Sequence, residues 1–414
     1  VLLERSFPNG APASPNFPPQ TVSSGVPGPT GVPQNYSSAP PPRDINPFGP
    51  GLAYDRRFVC GRYCNYGTFL APADTQPAPG AFASLPTSSA SGRTKFSGWG
   101  VSGQVEWDLA DQLQLVSITA YRNYTTNFTN DDDATPLAHS WGRSELRFHS
   151  FSQELRLNGS IGANDQVEYT LGGYYSDQRS VYPTVQDQRY AGLPPFAGND
   201  PVNADSKAAF AHVSWKPIEP LTLIAGIRYT DEHKDFTFRR RSPDGSIVPS
   251  IEALNGIKGD YDEQRWDYRV NADYRLSDAV LVYANVATGF KGGGINPKPF
   301  IASHVVPFGP EKMTAYEVGA KTDLFDRRAR INLSAFFNDY KDIQLNITNG
   351  FGGFPVSNVP FNAGTAHVKG IELEADVRPV DGLALDGSIS YLDFQYKELV
   401  PAILASGITK DMVT

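Results

Sequence analysis

The chain has 414 residues, and its 36 basic and 44 acidic side chains give a formal net charge of −8. This acidic balance, without a long basic run, argues against nucleic acid as the main partner. Mean hydropathy is −0.35, and no apolar run approaches about 18 residues, which excludes a transmembrane helix but not a barrel of half-apolar strands.

The first part of the chain is rich in proline. Residues 7–93 hold 17 of the 34 prolines, among glycine, serine, alanine and asparagine. Such a composition cannot supply a periodic apolar face. The sequence therefore predicts one very long loop over this segment.

Both cysteines lie within that loop, as Cys60 and Cys64 in the run CGRYC. This spacing suits a local disulfide in an oxidising compartment. A zinc site would need two more ligands nearby, and none is present. We predict a Cys60–Cys64 disulfide, and a pair of free thiols is the alternative.

From Lys95 onward apolar and polar residues alternate with a period of two. In one example, Ile371, Leu373 and Ala375 alternate with Glu372 and Glu374. This pattern is typical of strands with one apolar and one polar face. The predicted strands lie near 95–109, 113–129, 144–159, 165–179, 205–217, 220–240, 261–276, 279–292, 311–325, 328–348, 364–379 and 382–397.

The connections between these strands alternate in length. Short turns are expected near 110–112, 160–164, 217–220, 277–278, 326–327 and 380–381. Long loops are expected near 130–143, 180–204, 241–260, 293–310 and 349–363. Short turns at one end of a sheet and long loops at the other are typical of outer-membrane barrels. Soluble sandwiches have shorter strands, of about five or six residues.

The stretch "LVYANVATGFKGGGINP" (281–297) raises the possibility of a phosphate loop. A phosphate loop places its lysine after the glycines and before a helix. Here Lys291 precedes the glycines, and Pro297 and Pro299 oppose a helix. The sequence therefore favours a strand that ends in a glycine-rich bend.

Four segments resemble the barrel of TonB-dependent outer-membrane receptors. They are "SFSQELRLNG" (150–159), "LVYANVATGFKGGGINP" (281–297), "PEKMTAYEVGAKTDLFDRRARINLSAFFNDYKDIQ" (310–344) and "NAGTAHVKGIELEADVRPVDGLALDGSISY" (362–391). The resemblance covers roughly residues 95–400. It implies an all-β, antiparallel transmembrane barrel, with about 12 strands here of an expected 22. It also implies that the glycines at 292–294 lie where a strand reaches the outer rim and enters a loop.

The resemblance further implies the domain organisation. Residues 1–93 are expected to be the end of a barrel strand plus the long extracellular loop, and residues 94–414 the barrel strands with short periplasmic turns. In such receptors an N-terminal plug domain fills the barrel, and a TonB box before it contacts TonB. Neither is recognisable here, and the chain begins at Val1 without a signal peptide, so we interpret it as a segment of a longer protein.

No catalytic constellation is recognisable, and the six histidines never occur at metal-binding spacing. We therefore expect no enzyme, no metal site and no cofactor. Ligand-binding residues are expected in the long loops, where aromatic and cationic side chains could meet an anionic metal chelate. The candidates are Tyr54, Arg56, Arg57, Arg62, Tyr63, Tyr66, Trp141, Arg143 and Tyr190.

The resemblance implies a receptor in the outer membrane of a Gram-negative bacterium, in contact with lipid. Its function is expected to be TonB-energised uptake of a scarce nutrient, with a ferric siderophore as the leading candidate. The alternatives are a passive porin and, in a different class, a soluble all-β ligand-binding module.

Overall fold

The computed structural model describes two short strands at 21–27 and 33–37, and residues 94–131, 141–162, 165–187, 195–348 and 358–401. The two short strands, β1 (Thr21–Pro27) and β2 (Pro33–Ser37), pair antiparallel as a hairpin. The proline-rich composition of this region did not predict them.

Twelve long strands form the main sheet. They are β3 (Lys95–Ala110), β4 (Leu113–Asp131), β5 (Trp141–Ile161), β6 (Val167–Asp187), β7 (Phe196–Ile218), β8 (Leu221–Thr237), β10 (Lys258–Ser277), β11 (Val280–Lys291), β14 (Glu311–Leu324), β15 (Ala329–Lys341), β18 (Gly364–Val380) and β19 (Leu383–Leu399). The remaining short strands are β9 (Arg240–Arg241), β12 (Gly294–Ile295), β13 (Pro307–Phe308), β16 (Gln344–Thr348) and β17 (Asn358–Asn362).

Each long strand pairs antiparallel with the long strand that follows it along the chain. The order across the sheet is β19-β18-β15-β14-β11-β10-β8-β7-β6-β5-β4-β3, and β9 adds to β7. The twelve strands predicted from the alternating pattern are therefore confirmed. The two-residue period gives each strand one apolar and one polar face. Such strands pair into a sheet that separates an apolar environment from a polar one.

The predicted alternation of short and long connections is also confirmed. The six short connections are 111–112, 162–166, 219–220, 278–279, 325–328 and 381–382. Gly382 has φ of +86°, and Asp326 and Arg327 also have positive φ. Glycine and aspartate tolerate this left-handed conformation better than most residues, which allows the tight reversal.

Three predicted boundaries are wrong. Residues 180–204 were predicted to form a loop, but β6 and β7 extend into this segment and leave only 188–195 as their connection. The strand predicted over 328–348 divides into β15 and β16, because Asp342 adopts φ of +56° and turns the chain. The strand predicted to reach residue 240 ends at Thr237, and β9 forms separately.

Buried side chains concentrate at the end of the sheet that carries the long connections. One cluster contains Phe236, Phe238 and Ile295, and a second contains Ile343, Ala366 and Leu399. Helical structure in the described residues is limited to α1 (Pro249–Glu252), a 3-10 turn at Ala302–His304 and Pro401. No described helix has the length and apolar character to cross a membrane.

Candidate functional site: the inner wall and the long-connection end

The sheet has one apolar face that extends across all twelve long strands. Ile227 lies opposite Tyr268, and Val318 lies opposite Ala335, so the apolar residues of neighbouring strands share a face. These side chains are largely exposed, although they are hydrophobic. They include Val105, Leu171, Val213, Ile227, Val270, Val318, Leu333, Ile371 and Ile389. A continuous exposed apolar face of this size is a surface for lipid.

A row of aromatic rings lies on this outer face, toward the end with the long connections. Tyr229 and Trp266 are direct cross-strand partners with ring centroids 5.0 Å apart, and the rings of Trp99 and Tyr121 are 5.2 Å apart. Together with Phe151, these rings mark the boundary where lipid gives way to water. The full aromatic belt is Trp99, Tyr121, Phe151, Tyr175, Tyr229, Trp266, Tyr316, Phe337 and Tyr391.

The opposite face is mainly polar, and we call it the inner wall. Its residues are the neighbours in sequence of the lipid-facing ones, as Asn271 is of Val270 and Glu372 is of Ile371. The inner wall includes Gln104, Glu106, Arg156, Glu168, Asn271, Asp273, Asn285, Glu317, Lys321, Glu372, Glu374 and Ser388. Charged groups at this density require contact with water or with polar partners.

Aromatic side chains on the inner wall cover glycines of the neighbouring strand. The Tyr283 hydroxyl donates a hydrogen bond of 2.5 Å to Glu317, and the Lys321 ammonium lies 5.6 Å from the Tyr283 ring centroid. A Cβ at Gly319 would lie 2.6 Å from the same ring. Because Gly319 has no side chain, the Tyr283 ring can pack over its backbone.

Three further rings share the inner wall toward the long-connection end. The centroids of Phe96 and Tyr124 are 5.7 Å apart, and those of Tyr124 and Phe148 are 4.7 Å apart. These rings come from β3, β4 and β5. They form an aromatic surface that an organic ligand could contact by stacking.

A polar cleft of about 490 Å³ opens on the inner wall at the short-turn end. Asp108, Glu168, Thr170, His212 and Ser214 line part of it. The cleft is walled by hydrogen-bonded pairs, including Thr170 with Asn158 at 2.9 Å. Within the described residues, no group of three His, Cys, Asp or Glu side chains is arranged to hold a metal ion.

The connection between β11 and β14 folds over the inner wall at the long-connection end. The Lys234 ammonium donates a 3.0 Å hydrogen bond to the carbonyl of Gly293, and Ile295 packs into the cluster of Phe236 and Phe238. A Cβ at Gly293 would collide with the Phe308 carbonyl and the Tyr261 ring. The glycines after Lys291 are therefore needed for close approach, as the sequence predicted for a strand that bends at the rim.

Two amide side chains tie this connection to the β16–β17 hairpin, and we call them the amide clamp. Asn362 accepts a 2.6 Å hydrogen bond from the Gly309 N–H, and donates to the Gly309 and Asp342 carbonyls at 2.9 and 2.8 Å. Gln344 donates from Nε2 to the carbonyls of Gly292 and Gly309. The clamp closes two long connections into one unit.

A buried ion pair anchors the connection between β8 and β10. The Arg240 guanidinium bonds to both carboxylate oxygens of Asp200, and both side chains are almost fully buried. Its Cζ atom lies 5.2 Å from the ring centroid of Phe196 and 5.8 Å from that of Phe238. Removing either partner would leave an uncompensated buried charge, so this pair fixes the connection in place.

Most ligand-binding candidates predicted from the sequence lie outside the described residues. These are Tyr54, Arg56, Arg57, Arg62, Tyr63, Tyr66 and Tyr190, and the same holds for Cys60 and Cys64. Trp141 is the first residue of β5, in register with Asp131 and Asp187. Arg143 is exposed on β5 and shares the face of Phe151, which is the outer face.

Sequence reasoning missed the amide clamp and the aromatic surface of Phe96, Tyr124 and Phe148. The clamp joins residues as far as 53 positions apart, so no local sequence pattern predicts it. The aromatic surface could have been found from alternation, because each of its rings lies on the polar face of its strand.

Comparison with known proteins agrees with this architecture. Residues 23–410 match the family described as TonB dependent receptor-like, beta-barrel. The chain belongs to this family. Its members are outer-membrane proteins of Gram-negative bacteria, so the apolar face meets the lipid of an outer membrane.

Sequence identity to individual relatives is low. The Pesticin receptor of Yersinia pestis is 24% identical over 274 residues, which is 66% of this chain and 37% of that receptor. The ferric yersiniabactin uptake receptor FyuA from Yersinia pestis superposes with a TM-score of 0.58 at 22% identity, over 74% of this chain and 45% of FyuA. The siderophore receptor PiuA from Acinetobacter baumannii gives 0.59 at 14% identity, over 74% and 48%. Each of these three receptors is more than twice as long as its matched region, so the chain spans less than half of each.

Proposed function

We propose that this chain forms part of the wall of an outer-membrane receptor that takes up a ferric siderophore with energy supplied through TonB. The observation that carries the proposal is the two-faced sheet, with a lipid-facing side and a charged inner wall, within a family of receptors. A barrel with a polar interior provides a path across the membrane for a water-soluble chelate, which cannot cross the lipid itself.

The identity of the cargo is supported by what the relatives are named for. One similar fold is a ferric yersiniabactin uptake receptor and another is a siderophore receptor. The aromatic surface of Phe96, Tyr124 and Phe148 offers rings to an organic chelate. We also propose that the long loops contribute to binding through Tyr54, Arg56, Arg57, Arg62, Tyr63, Tyr66 and Tyr190.

Energy coupling is the part of the proposal that separates a receptor from a pore. TonB acts through an N-terminal plug domain in this family, so the coupling belongs to the whole protein. A passive porin would share the barrel wall but would need no energy.

Uptake of ⁵⁵Fe by iron-starved cells tests the proposal. Wild-type and deletion strains are each given single ferric siderophores from a panel, with and without a protonophore. We expect one chelate to enter wild-type cells only, and its entry to stop with the protonophore. Entry that persists without the proton gradient would indicate a porin, and equal entry into both strains for every chelate would contradict the proposal.

A further inference from the structure

The outer face of β14, β15 and β18 changes from apolar to basic toward the long-connection end. Tyr316, Phe337 and Lys369 form one cross-strand row, and the first two belong to the aromatic belt. Four residues farther along the same strands, Lys312 of β14 lies directly opposite Lys341 of β15. Every second residue of a strand shares a face, so both lysines lie on the outer face. We call Lys312 and Lys341 the lysine pair.

The lysine pair places two like charges side by side. Directly opposite side chains have Cβ atoms about 4.5–5.5 Å apart, and like charges at that separation destabilise a sheet. The Lys312 ammonium lies 3.7 Å from the Asp342 carboxylate, and these two side chains are 40% and 56% exposed. Lys341 is exposed and has no carboxylate within ion-pairing distance among the residues that the structure describes. The pair therefore carries a net positive charge that a further anion would neutralise.

The carboxylates between the lysine pair and the aromatic belt contact other cations. Asp339 lies two residues before Lys341 on the same face, and its Oδ1 is 3.3 Å from His367 Nε2. Asp393 lies 3.2 Å from the Lys369 ammonium. The His367 ring also contacts Phe337, with centroids 4.9 Å apart. These contacts leave the lysine pair as the basic edge of the surface.

The height of the lysine pair above the aromatic belt matches the headgroup layer of a bilayer. Four residues of a strand span about 13 Å, and a tilt of about 45° reduces this to about 9 Å along the membrane normal. The headgroup layer on each side of the hydrocarbon core is about 5–8 Å thick. A lysine can extend its ammonium toward the headgroups while its stem stays on apolar surface. Both ammonium groups can therefore reach the level of lipid phosphates.

We propose that the lysine pair binds a phosphate group on the head of a glycolipid, in the leaflet that meets the long-connection end. A phosphate carries one or two negative charges and several acceptor oxygens, so it can accept hydrogen bonds from both ammonium groups at once. The acyl chains of the same lipid lie along the apolar rows on the other side of the belt, which include the exposed side chains of Val318 and Ile371.

A lipid suits this surface better than a free anion because the lysine pair continues the lipid-facing side of the sheet. The apolar rows, the aromatic row and the lysine pair lie on the same strands and the same face. With the short turns in the periplasm, the leaflet at the lysine pair is the outer one, whose glycolipids carry phosphate on their sugar heads. The inference concerns the outer face only, and it is independent of the cargo that the barrel admits.

Native mass spectrometry of the full-length protein, freed of cellular lipid by detergent exchange, tests the site. The probe is bisphosphorylated lipid A, and dephosphorylated lipid A is the matched probe without phosphate. The test variant is Lys312→Gln with Lys341→Gln, and Lys312→Arg with Lys341→Arg keeps the charge. The control is Arg327→Gln with Arg328→Gln, which removes the same charge from the exposed turn at the opposite end of the β14–β15 hairpin. Heat-modifiable migration on gels confirms that each variant is folded.

We expect the wild type, the arginine variant and the control to bind bisphosphorylated lipid A with similar affinity. The glutamine variant should bind it at least about tenfold more weakly, because two charge-assisted contacts are lost. Dephosphorylated lipid A should bind the wild type with a similarly reduced affinity.

Equal affinity of the glutamine variant and the wild type for bisphosphorylated lipid A would overturn the proposal. An equal loss in the control would also overturn it, because binding would then follow the overall charge of the protein. Tight binding of dephosphorylated lipid A would assign the affinity to the acyl chains and would contradict a phosphate site. None of these results depends on whether cells take up a ferric siderophore.

Discussion

At the scale of single residues, the inner wall depends on glycines that face aromatic rings. Tyr283 packs where Gly319 lacks a side chain, and from that position its hydroxyl reaches Glu317. A strand glycine usually weakens a sheet, but a ring from the neighbouring strand can compensate by covering it. Residue identity is therefore set by the neighbour across the strand and not by local propensity.

Gly319→Val should destabilise the barrel by about 1–3 kcal/mol, the usual range for overpacking. The new Cβ would lie 2.6 Å from the Tyr283 ring, so the ring must leave and its bond to Glu317 is lost. Urea unfolding of the full-length protein in lipid vesicles measures this loss. Gly289→Val is the control, because no atom of the described residues lies within 4 Å of a Cβ there. Equal losses in both variants would contradict the role of the ring.

A second residue-scale prediction concerns the exposed turn at Asp244, between β8 and β10. Hydrogen bonds from the Ser242 hydroxyl, the Ser246 hydroxyl and the Ser246 N–H lower the pKa of Asp244 to about 2. Because the folded pKa is depressed, the carboxylate stabilises the turn above pH 3.8, its ordinary pKa, and this contribution is lost as the pH falls through about 2.

Hydrogen exchange of the peptide that covers 242–246 should show this dependence. After correction for intrinsic exchange, protection of the Ser246 amide should persist to about pH 3 and decrease near pH 2, as the pKa of Asp244 implies. Asp244→Asn should remove the pH dependence. Loss of protection with a midpoint near the ordinary carboxyl pKa would show that the three hydrogen bonds are not retained in solution.

At the scale of elements, the long-connection end of the sheet is ordered by side chains that satisfy backbone groups of distant loops. Asn362 pairs with both the N–H and the carbonyl of Gly309, as a neighbouring strand would. Gly364, two residues on, has φ of +140° and touches the β19 backbone at Glu398, so a side chain there is strained and obstructed. The run Asn362-Ala363-Gly364 thus joins the hairpin to the wall.

Asn362→Ala should release the β16–β17 hairpin from the β11–β14 connection. Each buried polar group that loses its partner costs about 1–3 kcal/mol, so exchange at the Gly309 amide should accelerate by at least about tenfold. Hydrogen exchange of peptides covering 305–312 and 342–348 measures the change. Asn346→Ala is the matched control, since Asn346 is exposed in the same hairpin. Unchanged protection in Asn362→Ala would mean that Gln344 alone holds the two connections.

At the scale of the whole molecule, the twelve-strand wall could be predicted from the sequence because its signal is local. Val270 and Asn271 already specify opposite faces, and the same alternation recurs in every long strand. The β15–β16 break could not be predicted in this way, because no glycine or proline marks a turn near Asp342, whose positive φ turns the chain. The amide clamp could not be predicted either, because Asn362 and Gly309 lie 53 positions apart in the chain.

The orientation of the wall in the membrane is a further prediction at this scale. The six short turns should face the periplasm, and the long connections together with 7–93 should face outside. Protease added to intact cells should cut within 238–257 and spare the turn at Ser277 and Asp278. Cleavage at that turn in intact cells, with the long connections protected, would show that the wall has the opposite orientation.

Mass spectrometry without reductant would test the predicted Cys60–Cys64 disulfide, and two free thiols would refute it.

The two-faced wall itself is tested most directly by spin labels at two adjacent residues. Leu333 faces lipid and Ser334 faces the interior. The two residues are adjacent in β15 and pair with the same neighbouring strands, β14 and β18. The full-length protein carrying Leu333→Cys or Ser334→Cys is labelled and reconstituted in lipid bilayers. Power saturation then compares collisions with oxygen, which concentrates in lipid, and with a water-soluble nickel chelate. We predict that the label at 333 meets mainly oxygen and the label at 334 mainly nickel. Equal access of the nickel chelate to both labels would contradict a wall with lipid on one side and a polar interior on the other.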